Sequence, residues 1–295
     1  MSICHKRLPP FDYIKPGGLR EALDLLGDPG TRRVLAYAGG TDVIPQIKSR
    51  SIPAPDLLVD LKGIAGLDRI TWDERDGLRI GALASIYDVA HAPEVRDRFP
   101  VLAQAASSIA STQIQNRGTI AGNVCNAVPS ADSAPALLCL DATAVCSGGG
   151  DREIALRDFF TGPRRTVLGP GELVREIRVP PFRGKGAYIK LSPRSRMDLA
   201  VVGVAVCVVE RDGAFEDVRI GLGAVAPTPI RALEAEAFLR GERIGERAIE
   251  EASARAAGEA APIDDHRASA EYRRMMVEVL VKRALRQAVS GKEGA

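Results

Sequence analysis

Two glycine segments hold the densest chemical content of this sequence. They are Ala38-Gly39-Gly40-Thr41-Asp42, and Thr119-Ile120-Ala121-Gly122-Asn123 inside the longer run from Gln113. Glycine lets a backbone approach a ligand closely and take positive φ values. Consecutive amide N–H groups in such turns form a concavity that favours anions. Thr41, Thr119 and Asn123 add hydroxyl and amide donors beside them. One Gly-Gly pair alone marks only a tight turn. Two such segments on separate units can cradle a pyrophosphate between them, which points to a dinucleotide. A third segment, Gly221-Leu222-Gly223-Ala224-Val225-Ala226, matches the nicotinamide-type spacing G-x-G-x-x-A. That motif needs a helix to begin at once, with its N-terminus facing the phosphates. Here Pro227-Thr228-Pro229 follows, and proline disfavours helical geometry in the residue before it. The match is therefore a decoy. No Walker-type phosphate loop, Ser/His/Asp set or Cys/His set is evident.

The elements that must position these segments fall into three groups. In the first, Gly18–Leu26 reads as a short helix with Leu19, Ala22, Leu23 and Leu26 on one face. Val34–Ala38 and Leu57–Leu61 read as buried strands around a glycine turn and a short helix, making a small α/β unit over residues 1–62. In the second, residues 63–181, Leu78–Ala82 is strand-like and Ser85 is placed to cap a helix over Ile86–Ala90. Pro100 opens a helix through Ser111. Ser133–Leu140 reads as another helix, with Ser133 as N-cap. Ala142–Ser147 and Glu153–Leu156 form a hairpin around Gly148-Gly149-Gly150, and Leu173–Val179 is a last strand stopped by Pro180-Pro181.

The third group, residues 182–290, has strands at Ala187–Leu191, Leu199–Val209 and Val218–Val225, the last two joined through Asp212-Gly213. Helices follow at Ile244–Ala257 and Ala268–Ala288. In the last helix Tyr272, Met275, Met276, Val279, Leu280 and Leu285 recur at helical spacing, and its basic end suits the helix dipole. Residues 291–295 are a tail. The fold class is α+β.

Composition narrows the function classes. The chain has 295 residues, is 45% hydrophobic and 26% charged, and carries a formal net charge of +2. Basic residues form only short clusters, Arg194 with Arg196 and Arg273 with Arg274, and no stripe of the kind nucleic acid requires. No apolar run approaches the roughly 18 residues of a membrane span. Residues Met1–Pro16, with His5, Lys6 and Arg7, lack the apolar stretch of a signal peptide. The expected compartment is the cytoplasm. The cysteines at Cys4, Cys125, Cys139, Cys146 and Cys207 are odd in number and never spaced as C-x-x-C, which argues against disulfide, zinc and iron–sulfur frameworks here. The histidines at His5, His91 and His266 lie far apart, so no metal site is expected.

Taken together, the two glycine segments, Asn126-Ala127-Val128-Pro129-Ser130-Ala131-Asp132, Gly221–Pro229 and the Tyr272-Arg273-Arg274 helix resemble the FAD-binding medium subunit of the xanthine dehydrogenase and carbon monoxide dehydrogenase family. The resemblance covers nearly the whole chain. It implies a two-part FAD domain of the vanillyl-alcohol-oxidase type with a separate C-terminal antiparallel-sheet-and-helix domain. It implies that Leu35, Ala36, Tyr37, Ala38, Gly39, Gly40, Thr41, Asp42 and Val43 line the pyrophosphate and adenine side of FAD. Gly118, Thr119, Ile120, Ala121, Gly122 and Asn123 would form the second phosphate-facing segment. By position, Ile109 corresponds to an apolar flavin-side residue, Asp132 to a polar contact, Val174 to an apolar wall and Lys190 to a cationic neighbour. The first glycine loop holds no histidine for covalent attachment, so FAD is expected to be noncovalent. The resemblance further implies an electron-transfer subunit with no catalytic residue of its own. Its partners would be a large molybdopterin-binding subunit and a small 2Fe–2S subunit, arranged as a dimer of heterotrimers. The alternative is a standalone FAD-dependent reductase using a nicotinamide donor.

Overall fold

The computed structural model describes residues 7–27, 30, 32–194 and 197–291. Cys4, His5, Lys6, Arg196 and residues 292–295 of the tail lie outside the described residues. The first part runs β1 (Asp12–Ile14), α1 (Leu19–Gly27), β2 (Val34–Tyr37), α2 (Val43–Ser49) and β3 (Leu57–Asp60). Its sheet has the order β1-β3-β2 and is parallel throughout. Parallel strands need both faces covered, and all four residues of the central β3 are buried. Ala22 and Leu26 of α1 pack on Leu57 and Val59. β1 escapes the sequence reading because its three residues, Asp-Tyr-Ile, show no alternation.

The second part contains β4 (Ile70–Asp73), β5 (Gly77–Gly81), α3 (Ile86–His91), α4 (Pro93–Arg98), α5 (Pro100–Ser107), α6 (Thr112–Gln115), α7 (Ile120–Asn126) and α8 (Ser133–Cys139). It ends with β6 (Thr143–Ser147), β7 (Arg152–Ala155), β8 (Phe160–Gly162), β9 (Arg165–Thr166) and β10 (Leu173–Val179). An antiparallel sheet of order β4-β5-β10-β6-β7 backs the helices. Ser85 caps α3 as its position suggests, its side chain accepting from the Asp88 amide. The helix opened by Pro100 is shorter than its composition suggests: α5 stops at Ser107, and Ala110 takes a φ of 47° before α6 begins. Ser133 is not a cap either. Asp132 occupies the N-cap position without a side-chain cap bond, and the Ser133 hydroxyl donates to Asn123 Oδ1 at 2.6 Å.

The third part holds β11 (Lys185–Leu191), β12 (Val202–Arg211), β13 (Ala214–Gly223), β14 (Ile230–Arg231), α9 (Leu233–Leu239), α10 (Glu246–Glu259) and α11 (Ala270–Ser290). Its antiparallel sheet packs one face on α9, α10 and α11, with Val202, Val204, Val206, Leu280, Val281 and Ala284 in one core. The phase of α11 differs from the sequence reading. Its buried face is Arg273, Val277, Leu280, Val281, Ala284, Leu285 and Ala288, while Tyr272 and Met275 are exposed. No basic residue falls in its last turn. Lys282 and Arg286 instead pair with Glu250 and Glu246 of α10. The decoy segment lies in β13, clamped against α8: a Cβ on Gly221 would stand 2.3 Å from the Pro135 carbonyl oxygen. Close packing between parts, not phosphate binding, explains that glycine. No described helix is long and apolar enough to cross a membrane.

Candidate functional site

The two glycine segments meet. Gly39 approaches the 117–118 backbone so closely that a Cβ there would sit 1.9 Å from the Arg117 carbonyl oxygen, and Gly40 has a φ of 74°. The second segment is a helix entrance and not an open loop. Thr119 is the N-cap of α7, accepting the Gly122 amide on Oγ1 at 2.9 Å, while the Ile86 amide donates to the Gly118 carbonyl at 2.9 Å. The first segment likewise leads into α2. First-turn amides have no intrahelical acceptor, and a helix N-terminus favours negative charge.

Beside them opens a cleft of about 780 Å³ walled by all three parts of the chain. The first part supplies Leu35, Ala36, Ala38, Gly39, Gly40, Thr41, Asp42 and Val43. From the second come Ile109, Gly118, Thr119, Ala121, Gly122, Asn123, Asp132 and Val174, with Gln46 of α2 donating to Asn126 at 3.2 Å across the junction. Ile109 and Val174 are nearly fully buried yet contribute apolar wall.

Three residues expected in the site stand behind it. Tyr37 packs its ring under the Lys62 ammonium, which donates to the Ala38 carbonyl at 2.9 Å and pairs with Asp60 at 2.7 Å. It thus braces the glycine loop without lining the cleft. Ile120 is fully buried in the core of the second part. Lys190 is committed elsewhere: its Nζ donates to Asp132 Oδ2 at 2.8 Å and to the Ser108 carbonyl at 3.1 Å. Tyr188 donates to the other Asp132 oxygen at 2.7 Å. Burial pushes the Asp132 carboxyl up, with Lys190 and Tyr188 opposing, and burial and Asp132 raise the Tyr188 hydroxyl. This trio ties β11 to the loop before α8.

The third wall was invisible to sequence reading. Met197, Asp198 and Leu199, on the loop between β11 and β12, and His266 with Arg267, before α11, also line the cleft. Met197 and Leu199 are 65% and 44% exposed, a clue that something apolar faces them. Among the described lining residues Arg267 is the one permanent cation. The carboxylates Asp132, Asp198 and Glu172 are already paired with Lys190, Arg194 and Arg152. At the glycine segments themselves the groups that can meet an anion are amides and neutral side chains, and burial pushes up the Asp42 carboxyl beside them.

Arg267 pairs with Asp265 at 3.0 Å, and Arg273 does so at 2.7 Å. Burial disfavours the Asp265 carboxylate, but the Arg267 amide, the Arg273 guanidinium and the Ala268 amide outweigh it and hold the group down at about 2. A carboxyl lowered on folding contributes stability that is present above its ordinary value of 3.8 and lost as pH falls through about 2. Denaturant melts at pH 5 and pH 2.5 should accordingly show a larger acid loss in the parent chain than in Asp265→Asn. Equal losses would mean that the carboxylate is not held this way.

Comparison with known proteins gives a consistent picture. Residues 9–182 match the model of the FAD binding domain in molybdopterin dehydrogenase, and residues 187–288 that of the CO dehydrogenase flavoprotein C-terminal domain. The glyceraldehyde dehydrogenase medium chain of Sulfolobus acidocaldarius is 32% identical, over 95% of this chain and 98% of that protein. The carbon monoxide dehydrogenase medium chain of Hydrogenophaga pseudoflava is 36% identical, over 95% and 97%. A solved structure of that carbon monoxide dehydrogenase, lacking the Mo-pyranopterin moiety of its cofactor, superimposes with a TM-score of 0.92 at 36% identity, covering 96% of this chain and 99% of that one.

Proposed function

As the chain belongs to the FAD-binding medium-subunit family of molybdenum hydroxylases, we propose that it holds the FAD through which electrons leave a multi-subunit dehydrogenase. The observation that carries the reading is the three-walled cleft, polar with helix entrances at the glycine segments and apolar at Ile109, Val174, Met197 and Leu199. That donor set fits a dinucleotide with an apolar ring system. Neutral amides, Thr41, Thr119 and Asn123 suit a pyrophosphate, while the apolar walls exclude water from a flat heterocycle. When bound, the flavin supplies the redox chemistry, taking up single electrons and releasing a pair, and the protein supplies position and electrostatics.

On this reading Leu35, Ala36, Ala38, Gly39, Gly40, Thr41, Asp42 and Val43, with Gly118, Thr119, Ala121, Gly122 and Asn123, contact the cofactor directly. Ile109, Asp132 and Val174 complete its enclosure, whereas Tyr37, Ile120 and Lys190 act by holding those residues in place. The chain contributes no acid, base or nucleophile to substrate. Electrons arrive from 2Fe–2S clusters of a small subunit, whose donor is a large molybdopterin-binding subunit, and depart to an external acceptor. The assembly is a dimer of heterotrimers in the cytoplasm. Relatives that are themselves medium chains support the partner scheme. The three larger sheets support units spanning 1–62, 63–181 and 182–290, with Leu173 and Tyr188 among the residues that join neighbouring cores.

The test is a visible spectrum of the purified chain followed by acid precipitation. One flavin per chain, released into the acid supernatant as FAD, is expected. A colourless protein with no affinity for added FAD would sink the reading. Flavin retained in the pellet would overturn noncovalent binding and direct attention to His266 and Cys125, which line the cleft.

A further inference from the structure

Arg273 reads in the sequence as half of an exposed basic pair, but the fold buries it to 3% exposure at the end of the first turn of α11. Its Nη1 donates to the carbonyls of Val201 at 2.8 Å and Ala224 at 3.0 Å, and its Nη2 donates to Asp265 Oδ1 at 2.7 Å. Its Nε is buried with no hydrogen-bond partner among the described residues. Two of these contacts lie one or two residues from a cleft wall, and the third reaches one through a hydrogen bond. Val201 follows Leu199, and Asp265 precedes His266 and Arg267. Ala224 donates its amide to the Pro129 carbonyl at 2.7 Å, next to the lining residues Ser130 and Ala131. Asp265 also accepts the Arg267 amide at 2.8 Å and so fixes the turn that presents His266.

We propose that Arg273 is a positioning residue for the cofactor cleft: its guanidinium clamps the two wall segments around Leu199 and His266 to each other and to the turn at Ala224. The segments have no strand or helix of their own to set their position. A buried charge with one unsatisfied N–H is a costly way to stabilise a fold. It is suited to joining several backbone acceptors and a carboxylate from one rigid plane, which a lysine ammonium cannot span. The exposed Met197 and Leu199 make this wall a cover for the apolar part of the ligand, so loosening it opens that part to small oxidants. The claim about the ligand rests on the FAD reading above; the clamp itself does not.

The experiment uses the full-length chain with Arg273→Lys, and with Asp265→Asn as a milder second variant that keeps the two carbonyl contacts. Hydrogen exchange of peptides around Leu199 and His266 reads the clamp without any cofactor. In Arg273→Lys both peptides should exchange at least about tenfold faster while the β12 core is unchanged. In the FAD-loaded chain, FAD content should stay near the parent level, because the glycine segments lie in the other two parts. The visible circular dichroism of bound flavin should change, and dithionite-reduced protein should be re-oxidised by benzoquinone at least about tenfold faster, because a closed wall is what keeps side reactions out. Asp265→Asn should move the same readouts less, in the same direction. Should Arg273→Lys not fold, Asp265→Asn alone decides the matter by the same exchange and re-oxidation measurements. Unchanged exchange at both segments overturns the clamp. Faster exchange with unchanged or slower re-oxidation overturns its role in positioning the cofactor wall. A parent chain that binds no FAD defeats the FAD reading, and the exchange data still decide the clamp.

Discussion

Gly39→Ala should strip the chain of FAD. The added methyl would meet the Arg117 carbonyl oxygen at 1.9 Å and the Arg117 carbonyl carbon at 2.6 Å, both backbone atoms that cannot swing away. Relief requires the 38–42 loop and the 117–119 segment to separate, and these are the two edges proposed to share the pyrophosphate. A ligand held by amides from both sides loses half its donors when the edges part. The expected loss is at least about 100-fold in FAD affinity, or about 2.8 kcal/mol at 1.4 kcal/mol per tenfold. Fluorescence titration of apoprotein with FAD measures it. Gly149→Ala is the control, since nothing lies within 4 Å of a Cβ there. An affinity within about threefold of the parent in Gly39→Ala would show that the contact between the two segments does not shape the site.

Lys190→Met should strongly destabilise the chain while leaving the glycine segments untouched. Lys190 and Asp132 side chains are only 11% and 7% exposed, and among the described residues the lysine is the one cation bonded to that carboxylate. Removing it leaves Asp132 with the Tyr188 hydroxyl alone. Breaking a buried pair by deleting one partner costs about 3–5 kcal/mol, because the remaining charge is uncompensated. For a chain of this size that corresponds to a fall in Tm of roughly 5–8 °C. The double variant Lys190→Met with Asp132→Asn should recover part of the loss, since no unpaired charge remains. A single-variant loss under about 1 kcal/mol would mean that water screens the pair as it screens surface ion pairs.

The same residues show where sequence reading succeeds and where it stops. The Ser85 cap, the Leu173–Val179 strand and the hairpin through Asp212-Gly213 were legible because cap chemistry, a proline stop and turn residues are local signals. The Thr119–Asn123 segment reads as a glycine turn in the sequence because Gly122 masks the role of Thr119, whose cap bond opens α7 with Ile120 and Val124 buried four residues apart. Helix α9, only seven residues long, gave too short a period to detect. Lys190, expected beside the cofactor, instead holds Asp132 from behind the cleft, and its type says nothing about a partner 58 positions away. The third wall is a tertiary product. Met197, Leu199, His266 and Arg267 are brought together only when α11 docks on β12 and buries Arg273, and no spacing in the chain announces that.

The central claim is that this chain is the flavin station of a molybdenum dehydrogenase, and purification of the tagged chain from its native cell tests it most directly. Absorption spectra and metal analysis of the eluted complex are the measurements. The account predicts flavin together with molybdenum and iron, in the company of a large and a small partner chain. A chain that elutes alone, yellow and oxidising reduced nicotinamide without metals, or a colourless one, would contradict it.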